Sequence, residues 1–133
     1  MTMEQKIHSL DDLNILSGSV IDAAMAVHKA LGPGLLESVY EACLDYELRK
    51  RGLSVRRQVS CPVIYDGVHV DANLRLDMVV QDQILVELKA IEKILPVHKA
   101  QVLTYLKLSK LRLGLLLNFN VALLKNGIER IAL

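Results

Sequence analysis

The 133-residue sequence predicts a single α/β domain in which a mixed central sheet is flanked by helices. Apolar residues recur every three or four positions near the N-terminus, as in amphipathic helices. In the middle of the chain they alternate with polar residues, as in strands. A strand, a crossover helix and a second strand follow, with the length typical of a parallel pair. The predicted order is helix, helix, strand, strand, strand, helix, strand, strand.

Two helices are predicted before the first strand. Residues 11–31 place leucines and valines at helical spacing, and the Gly-Pro-Gly turn that follows ends this helix. A second helix is expected over residues 36–50, where a glycine again follows the last turn. Residues 1–10 are interpreted as a flexible N-terminal arm, so the single domain spans residues 11–133.

The middle of the chain predicts two long strands joined by the turn Asp66-Gly67. Residues 53–65 alternate apolar and polar side chains, with a bend expected at Pro62. Residues 68–80 also alternate, which predicts one face in the core and the other in water or at a functional site. The predicted core face carries Val70, Ala72, Leu74, Leu76, Met78 and Val80.

The last third of the chain predicts the crossover unit and a closing strand. Residues 84–90 form its first strand, and Pro96 suits the first turn of a helix that ends near residue 109. The apolar run 111–119 fits a strand covered on both faces. A last short strand is expected over residues 128–133.

Composition limits the classes of function. The formal net charge of +1 is lower than a dedicated nucleic-acid-binding domain often has. No stretch approaches the ~20 apolar residues needed to span a bilayer. The N-terminus also lacks the basic-then-apolar order of a secretory signal. We therefore expect a cytoplasmic location and no membrane partner. Cys43 and Cys61 are interpreted as core residues, because their spacing suits neither a metal knuckle nor a disulfide scaffold.

An aspartate, a glutamate and a lysine (Asp77, Glu87 and Lys89) lie within the two apolar strands of residues 74–89. When residues 81–83 form the loop between these strands, Asp77 lies opposite Glu87. Lys89 then projects to the same face. Facing carboxylates repel each other, so this arrangement favours a cation between them.

A metal site and a salt bridge are both compatible with this spacing. Carboxylate oxygens suit Mg²⁺ or Mn²⁺, and Lys89 beside such an ion could orient or deprotonate water, or neutralise charge on a phosphate. The alternative is a cross-strand salt bridge between Lys89 and Asp77 or Glu87 without any metal. Glu-x-Lys is a common tripeptide, so its spacing alone does not decide between the two.

These residues resemble the signature of the PD-(D/E)XK nuclease superfamily, in which an aspartate precedes a Glu-x-Lys tripeptide in a strand hairpin. The segment Gly34-Leu35-Leu36-Glu37-Ser38-Val39-Tyr40 is similar to the Gly-x-x-Glu-x-x-Tyr element of the GxxExxY protein family, a small branch of that superfamily. The resemblance covers roughly residues 27–131. Leu76 stands where the superfamily name has proline, but the aspartate does the coordinating.

The resemblance implies a restriction-endonuclease-like core and a metal-dependent nuclease whose substrate is nucleic acid, specifically DNA. It implies that Asp77 and Glu87 bind Mg²⁺ together with the main-chain carbonyl of Leu88. It also implies that Lys89 is catalytic.

The resemblance extends to three further residues on helices. Glu37 corresponds to the acid that the first core helix often contributes to the metal site. Gln101 and Tyr105 match a Gln-x-x-x-Tyr element that lies beside the active site of related nucleases and contacts the nucleic acid. Each has a structural alternative. An acid near a helix start is favourable without metal, and Gln101 and Tyr105 could form a surface hydrogen-bonding pair.

Two functions follow from these expectations. The first is a Mg²⁺-dependent nuclease that hydrolyses phosphodiester bonds of DNA. Since aromatic residues make up only 4% of the chain, recognition of the backbone is expected rather than base stacking. The second is a non-catalytic adaptor or oligomerisation module that retains the nuclease fold and buries an apolar surface, such as the last strand, against another chain. A homodimer is compatible with both.

Overall fold

The computed structural model describes residues 9–133 and confirms the predicted α/β class. The helices are α1 (Leu10–Leu31), α2 (Glu37–Lys50) and α3 (Pro96–Ser109), and a 3-10 turn covers Leu124–Gly127. The strands are β1 (Val55–Ser60), β2 (Val63–Tyr65), β3 (Val68–Val70), β4 (Arg75–Val80), β5 (Ile84–Lys89), β6 (Leu113–Asn118) and β7 (Ile128–Ala132). No helix in this part of the chain is both long enough and apolar enough to cross a membrane.

Helix α1 begins at Leu10, one residue earlier than predicted, because Ser9 caps it. The Asp12 N–H donates to Ser9 Oγ (3.1 Å), and the Ser9 N–H donates to the Asp12 carboxylate (3.4 Å). This reciprocal pair satisfies two donors that would otherwise lack a partner at the helix start. The predicted arm up to residue 8 lies outside the described residues.

The central sheet has the strand order β1-β4-β5-β6-β7. Strands β5 and β6 are parallel, and the other neighbouring pairs are antiparallel. Helix α3 connects the parallel pair, so the crossover unit predicted from the sequence is confirmed. This places β4 and β5 in the interior of the sheet, with their polar residues surrounded by other elements.

Apolar side chains cover both faces of the central sheet. The first core joins the sheet to α1 and α2 and includes Val20, Leu44, Val55, Met78, Val86, Leu88 and Leu115. The second core joins the sheet to α3 and includes Cys61, Leu76, Val79, Leu85, Val102, Leu106 and Leu116. The two helical layers therefore approach the polar residues of β4 and β5 from opposite sides.

The two long strands predicted on either side of Asp66-Gly67 are each interrupted. Strands β1 and β4 belong to the central sheet, whereas β2 and β3 form a separate two-stranded hairpin. Pro62, which has no N–H to donate, lies between β1 and β2, and Asn73, with φ of 47°, lies between β3 and β4. Val70 and Ala72 are exposed, so their predicted position on the core face was wrong.

Tyr40 stabilises the turn between α1 and α2. Its hydroxyl donates to the Gly32 carbonyl (2.6 Å) and accepts the Leu35 N–H (3.1 Å). Its ring stacks on Phe119, with 4.6 Å between the ring centroids. These contacts determine where α2 begins, and so where its first residue, Glu37, lies relative to the sheet.

Candidate active site

The hairpin of β4 and β5 has the predicted register, with Met78 paired to Val86. The backbone ladder between β4 and β5 ends at this pair. Beyond it, the side chains of Asp77 and Glu87 each accept a backbone N–H from the opposite strand. The Asp77 N–H donates to Glu87 Oε2 (2.8 Å), and the Leu88 N–H donates to Asp77 Oδ2 (2.9 Å). The two carboxyl groups therefore meet across the strands, at the point where backbone pairing stops.

The charge state of this acid pair is strongly perturbed. Glu87 is only 4% exposed, and Asp77 is half-buried. Burial, followed by repulsion from the Asp77 carboxylate, raises the pKa of Glu87 to about 9. A hydrogen bond between the two side chains further favours the protonated form. Glu87 thus keeps its proton at neutral pH unless a cation is present to stabilise the second carboxylate.

Lys89 lies half-buried at the end of β5. Its carbonyl accepts the Phe119 N–H (2.9 Å), which holds the strand end against the chain leaving β6. Within residues 9–133 the Lys89 ammonium forms no ion pair of 4.0 Å or less with either acid. It acts at longer range, where its charge lowers the pKa of Glu87. The direct salt bridge considered as an alternative from the sequence is therefore not what the structure contains.

Glu37 is the first residue of α2 and is largely exposed. Its pKa is raised, first because neighbouring protein removes part of its water and then because Asp77 repels its charge. Lys89 opposes this shift. The carboxylate thus lies within electrostatic range of the acid pair. Even so, across the described residues no group of three His, Cys, Asp or Glu side chains is arranged to hold a metal ion.

Helix α3 contributes Tyr105 to the same region. Tyr105 is half-buried, and burial raises the pKa of its phenol, with the negative charges of Glu87 and Asp77 as the next causes. Gln101 is exposed one helical turn earlier, on the same stripe of α3. The structure therefore brings Tyr105 into electrostatic range of the acids and places Gln101 on the adjoining surface.

Asn118 holds the chain where it leaves β5. This residue is buried, and its side-chain amide bonds both backbone groups of Ile91. Asn118 Oδ1 accepts the Ile91 N–H (3.1 Å), and Nδ2 donates to the Ile91 carbonyl (2.9 Å). The segment just after Lys89 is thereby fixed. No role for Asn118 was predicted from the sequence, although an amide at the end of an apolar strand is a visible signal.

A hydrogen-bonded group around Glu41 was not predicted from the sequence. Glu41, one helical turn after Glu37, is buried, with 8% of its surface exposed. Arg57 donates to Glu41 Oε2 from Nε (3.1 Å) and from a terminal nitrogen (2.9 Å). Gln58 Nε2 donates to Glu41 Oε1 (2.9 Å). These partners come from β1, so spacing along the helix could not reveal them.

The donors at the acid pair fit a hard divalent cation. Asp77 and Glu87 each use one oxygen to accept a backbone N–H. The remaining oxygens compete for one proton, which a cation would replace. Mg²⁺ commonly binds through one or two carboxylates, several waters and substrate phosphates, so it does not require a third protein carboxylate.

Comparison with known protein families agrees with this geometry. A family model described as the PD-(D/E)XK nuclease superfamily matches residues 14–131 of the chain. No curated protein and no solved structure gives a significant match. The matched range includes the acid pair, Lys89 and the residues contributed by α2 and α3.

Proposed function

The chain belongs to the PD-(D/E)XK nuclease superfamily, and on this basis we propose that it is a Mg²⁺-dependent nuclease that hydrolyses phosphodiester bonds of DNA. The observation that carries the proposal is the meeting of Asp77 and Glu87 where β4 and β5 stop pairing, with Lys89 beside them. The segment from Gly34 to Tyr40 further supports membership of the GxxExxY branch.

Asp77 and Glu87 are the proposed metal ligands, together with the main-chain carbonyl of Leu88. In an antiparallel pair the N–H and C=O of one residue face the same neighbouring strand. The Leu88 N–H points to Asp77, so its carbonyl faces the same side. Glu37 is the proposed acid of the outer part of the site. When bound, Mg²⁺ supplies a Lewis acid that activates water and neutralises charge developing on phosphate oxygens.

Lys89 is the proposed catalytic residue. Lys89 is half-buried and lies within electrostatic range of Glu87, without a direct ion pair to either acid within the described part of the chain. From this position it can orient or deprotonate the attacking water, or neutralise charge on the phosphate. Gln101 and Tyr105 are proposed to contact the nucleic acid from the adjoining face of α3.

We expect the protein to recognise DNA through its sugar-phosphate backbone. Only 4% of the residues are aromatic, which leaves few rings on which bases could stack. Contacts to phosphate and sugar position a nuclease without selecting a sequence. We therefore expect little sequence preference in the cleavage products.

The test is cleavage of labelled single-stranded, duplex and branched DNA, with an RNA of the same sequence, in Mg²⁺, Mn²⁺ or EDTA. Cleavage is expected in either metal, and none in EDTA. Asp77→Asn should abolish it and Lys89→Ala should slow it by orders of magnitude, while circular dichroism shows a folded chain for both. Glu47→Gln is the matched control, because this acid pairs with Lys50 and Arg51 at the other end of α2. A wild-type chain that binds no divalent ion in calorimetry and cleaves none of these substrates would overturn the proposal.

One observation favours a second candidate, the non-catalytic adaptor. The β2–β3 hairpin stands apart from the central sheet and exposes 55% of Ile64, 75% of Tyr65 and 61% of Val68. Neighbouring exposed apolar side chains are typical of a surface that binds another protein. If the chain is such an adaptor, light scattering should show a dimer or larger assembly that Tyr65→Asp dissociates. Calorimetry should then show no Mg²⁺ binding. A strict monomer would count against it.

A further inference from the structure

The pairing of β1 with β4 is interrupted at one position, directly opposite Asp77. By the register of the two strands Gln58 faces Asp77, but this pair is missing from an otherwise continuous ladder. The flanking pairs are Arg57 with Met78 and Val59 with Leu76. Gln58 also has φ of 50°, in the left-handed region that residues other than glycine rarely adopt. The interruption is therefore a defined backbone feature at the candidate site.

Strand β1 changes face at Gln58. Consecutive side chains of a strand normally point to opposite faces, yet Arg57 and Gln58 both bond Glu41 on α2. Residues four apart normally share a face, yet Val55 packs in the first core and Val59 packs against the second. A single left-handed residue accounts for both departures from alternation.

Strand β4 changes face at the same level. Met78 packs in the first core, whereas Leu76, only two residues away, packs in the second. Asp77 lies at this reversal. In a regular ladder the Gln58 side chain would stand directly beside that of Asp77. Its amide instead bonds Glu41 on α2.

We propose that Glu41 and Gln58 are positioning residues for the site formed by Asp77 and Glu87. Glu41 holds Gln58 in the reversed conformation, which opens the flank of Asp77 to Mg²⁺ and the phosphate. The hydrogen bonds of Glu41 also hold α2 against β1, one helical turn after Glu37. This inference rests on the proposed nuclease function and assigns Glu41 no contact with metal or substrate, because its carboxylate is buried against Arg57 and Gln58.

Two substitutions of Gln58 separate the backbone conformation from the side chain. Gln58→Val disfavours the left-handed region, whereas Gln58→Gly permits it. In the valine variant we expect a regular pair, detected as a cross-strand nuclear Overhauser effect between backbone protons of residues 58 and 77. We expect its Mg²⁺ affinity in calorimetry to fall about 10- to 100-fold, as for other residues that orient metal ligands. The glycine variant should stay close to wild type in both measurements.

A comparison of Glu41→Gln with Glu47→Gln tests the contact between Glu41 and β1. Both variants lose one negative charge on the same helix. A purely structural role would lower the melting temperature in EDTA and leave the Mg²⁺ dissociation constant unchanged. We expect the dissociation constant of Glu41→Gln to rise about tenfold and that of Glu47→Gln to stay at the wild-type value. If the valine variant fails to fold, this comparison decides the inference by itself.

The outcomes distinguish this inference from the function on which it rests. Mg²⁺ binding by the wild type, with unchanged affinity in Gln58→Val and Glu41→Gln, overturns the positioning role alone. A wild-type chain that binds no Mg²⁺ overturns the proposed function and the positioning role together. Weaker binding in both variants, with Gln58→Gly and Glu47→Gln unaffected, supports the inference.

Discussion

Replacing Glu87 with glutamine removes the most perturbed ionisable group at the candidate site. Burial and Asp77 raise the pKa of Glu87 from 4.5 to about 9, so the metal-free protein carries a neutral carboxyl there at neutral pH. Glutamine has nearly the shape of that neutral form. Its oxygen can accept the Asp77 N–H, and its amide can donate to the Asp77 carboxylate. The variant should therefore fold like the wild type but have no proton to lose.

The raised pKa of Glu87 determines whether the stability of the wild type rises or falls with pH. Between pH 4.5 and about 9 the folded wild type holds a proton that the unfolded chain has released. The contribution of Glu87 to stability is thus fully present at low pH and is lost as pH rises through this window, by up to about 1.4 kcal/mol per pH unit. From about pH 6 to about pH 8, the wild type should lose up to roughly 3 kcal/mol relative to Glu87→Gln.

Urea denaturation of both proteins in EDTA at these two pH values measures the difference, in which the titration of groups that Glu87 does not influence cancels. Parallel pH profiles of the free energy of unfolding would refute the conclusion that Glu87 is protonated in the metal-free protein. Mg²⁺ should then stabilise the wild type alone, by about 2.7 kcal/mol at a concentration 100 times its dissociation constant. Equal stabilisation of the variant would contradict the role of Glu87 as a ligand.

Three further substitutions test separate parts of the structure. Lys89→Ala should slow single-turnover cleavage about 10²- to 10⁴-fold without weakening Mg²⁺ binding in calorimetry, and loss of binding would contradict a purely catalytic role. Tyr40→Phe should lower the free energy of unfolding in urea by about 2 kcal/mol, because two backbone groups lose their partner. Gly114→Ala places a methyl group 2.8 Å from Val102 Cγ1 and should cost about 1 to 3 kcal/mol in the same assay. Gly18→Ala is its control: this position in α1 has open space, so up to about 1 kcal/mol of stabilisation is expected.

The acid pair illustrates how much of the site could be predicted from sequence. The three-residue connection between β4 and β5 determines the register, and register alone places Asp77 across from Glu87. The register also puts Lys89 on this face, and the family resemblance then adds Glu37. The proton held by Glu87 was not predictable, because it depends on desolvation by elements distant in sequence. The partners of Glu41 were not predictable either, because they lie on a strand 16 and 17 residues away.

By itself the sequence determined the helices, the parallel crossover through α3 and the hairpin register. Each of these depends on local periodicity, on helix-start signals such as Pro96 and on the length of a turn. Only the tertiary structure decided that the β2–β3 hairpin leaves the central sheet and that β1 and β4 both change face at Gln58 and Asp77. Alternation along a strand assumes a regular ladder. The buried Glu41 carboxylate on α2 bonds two consecutive residues of β1, and this long-range contact overrides the alternation.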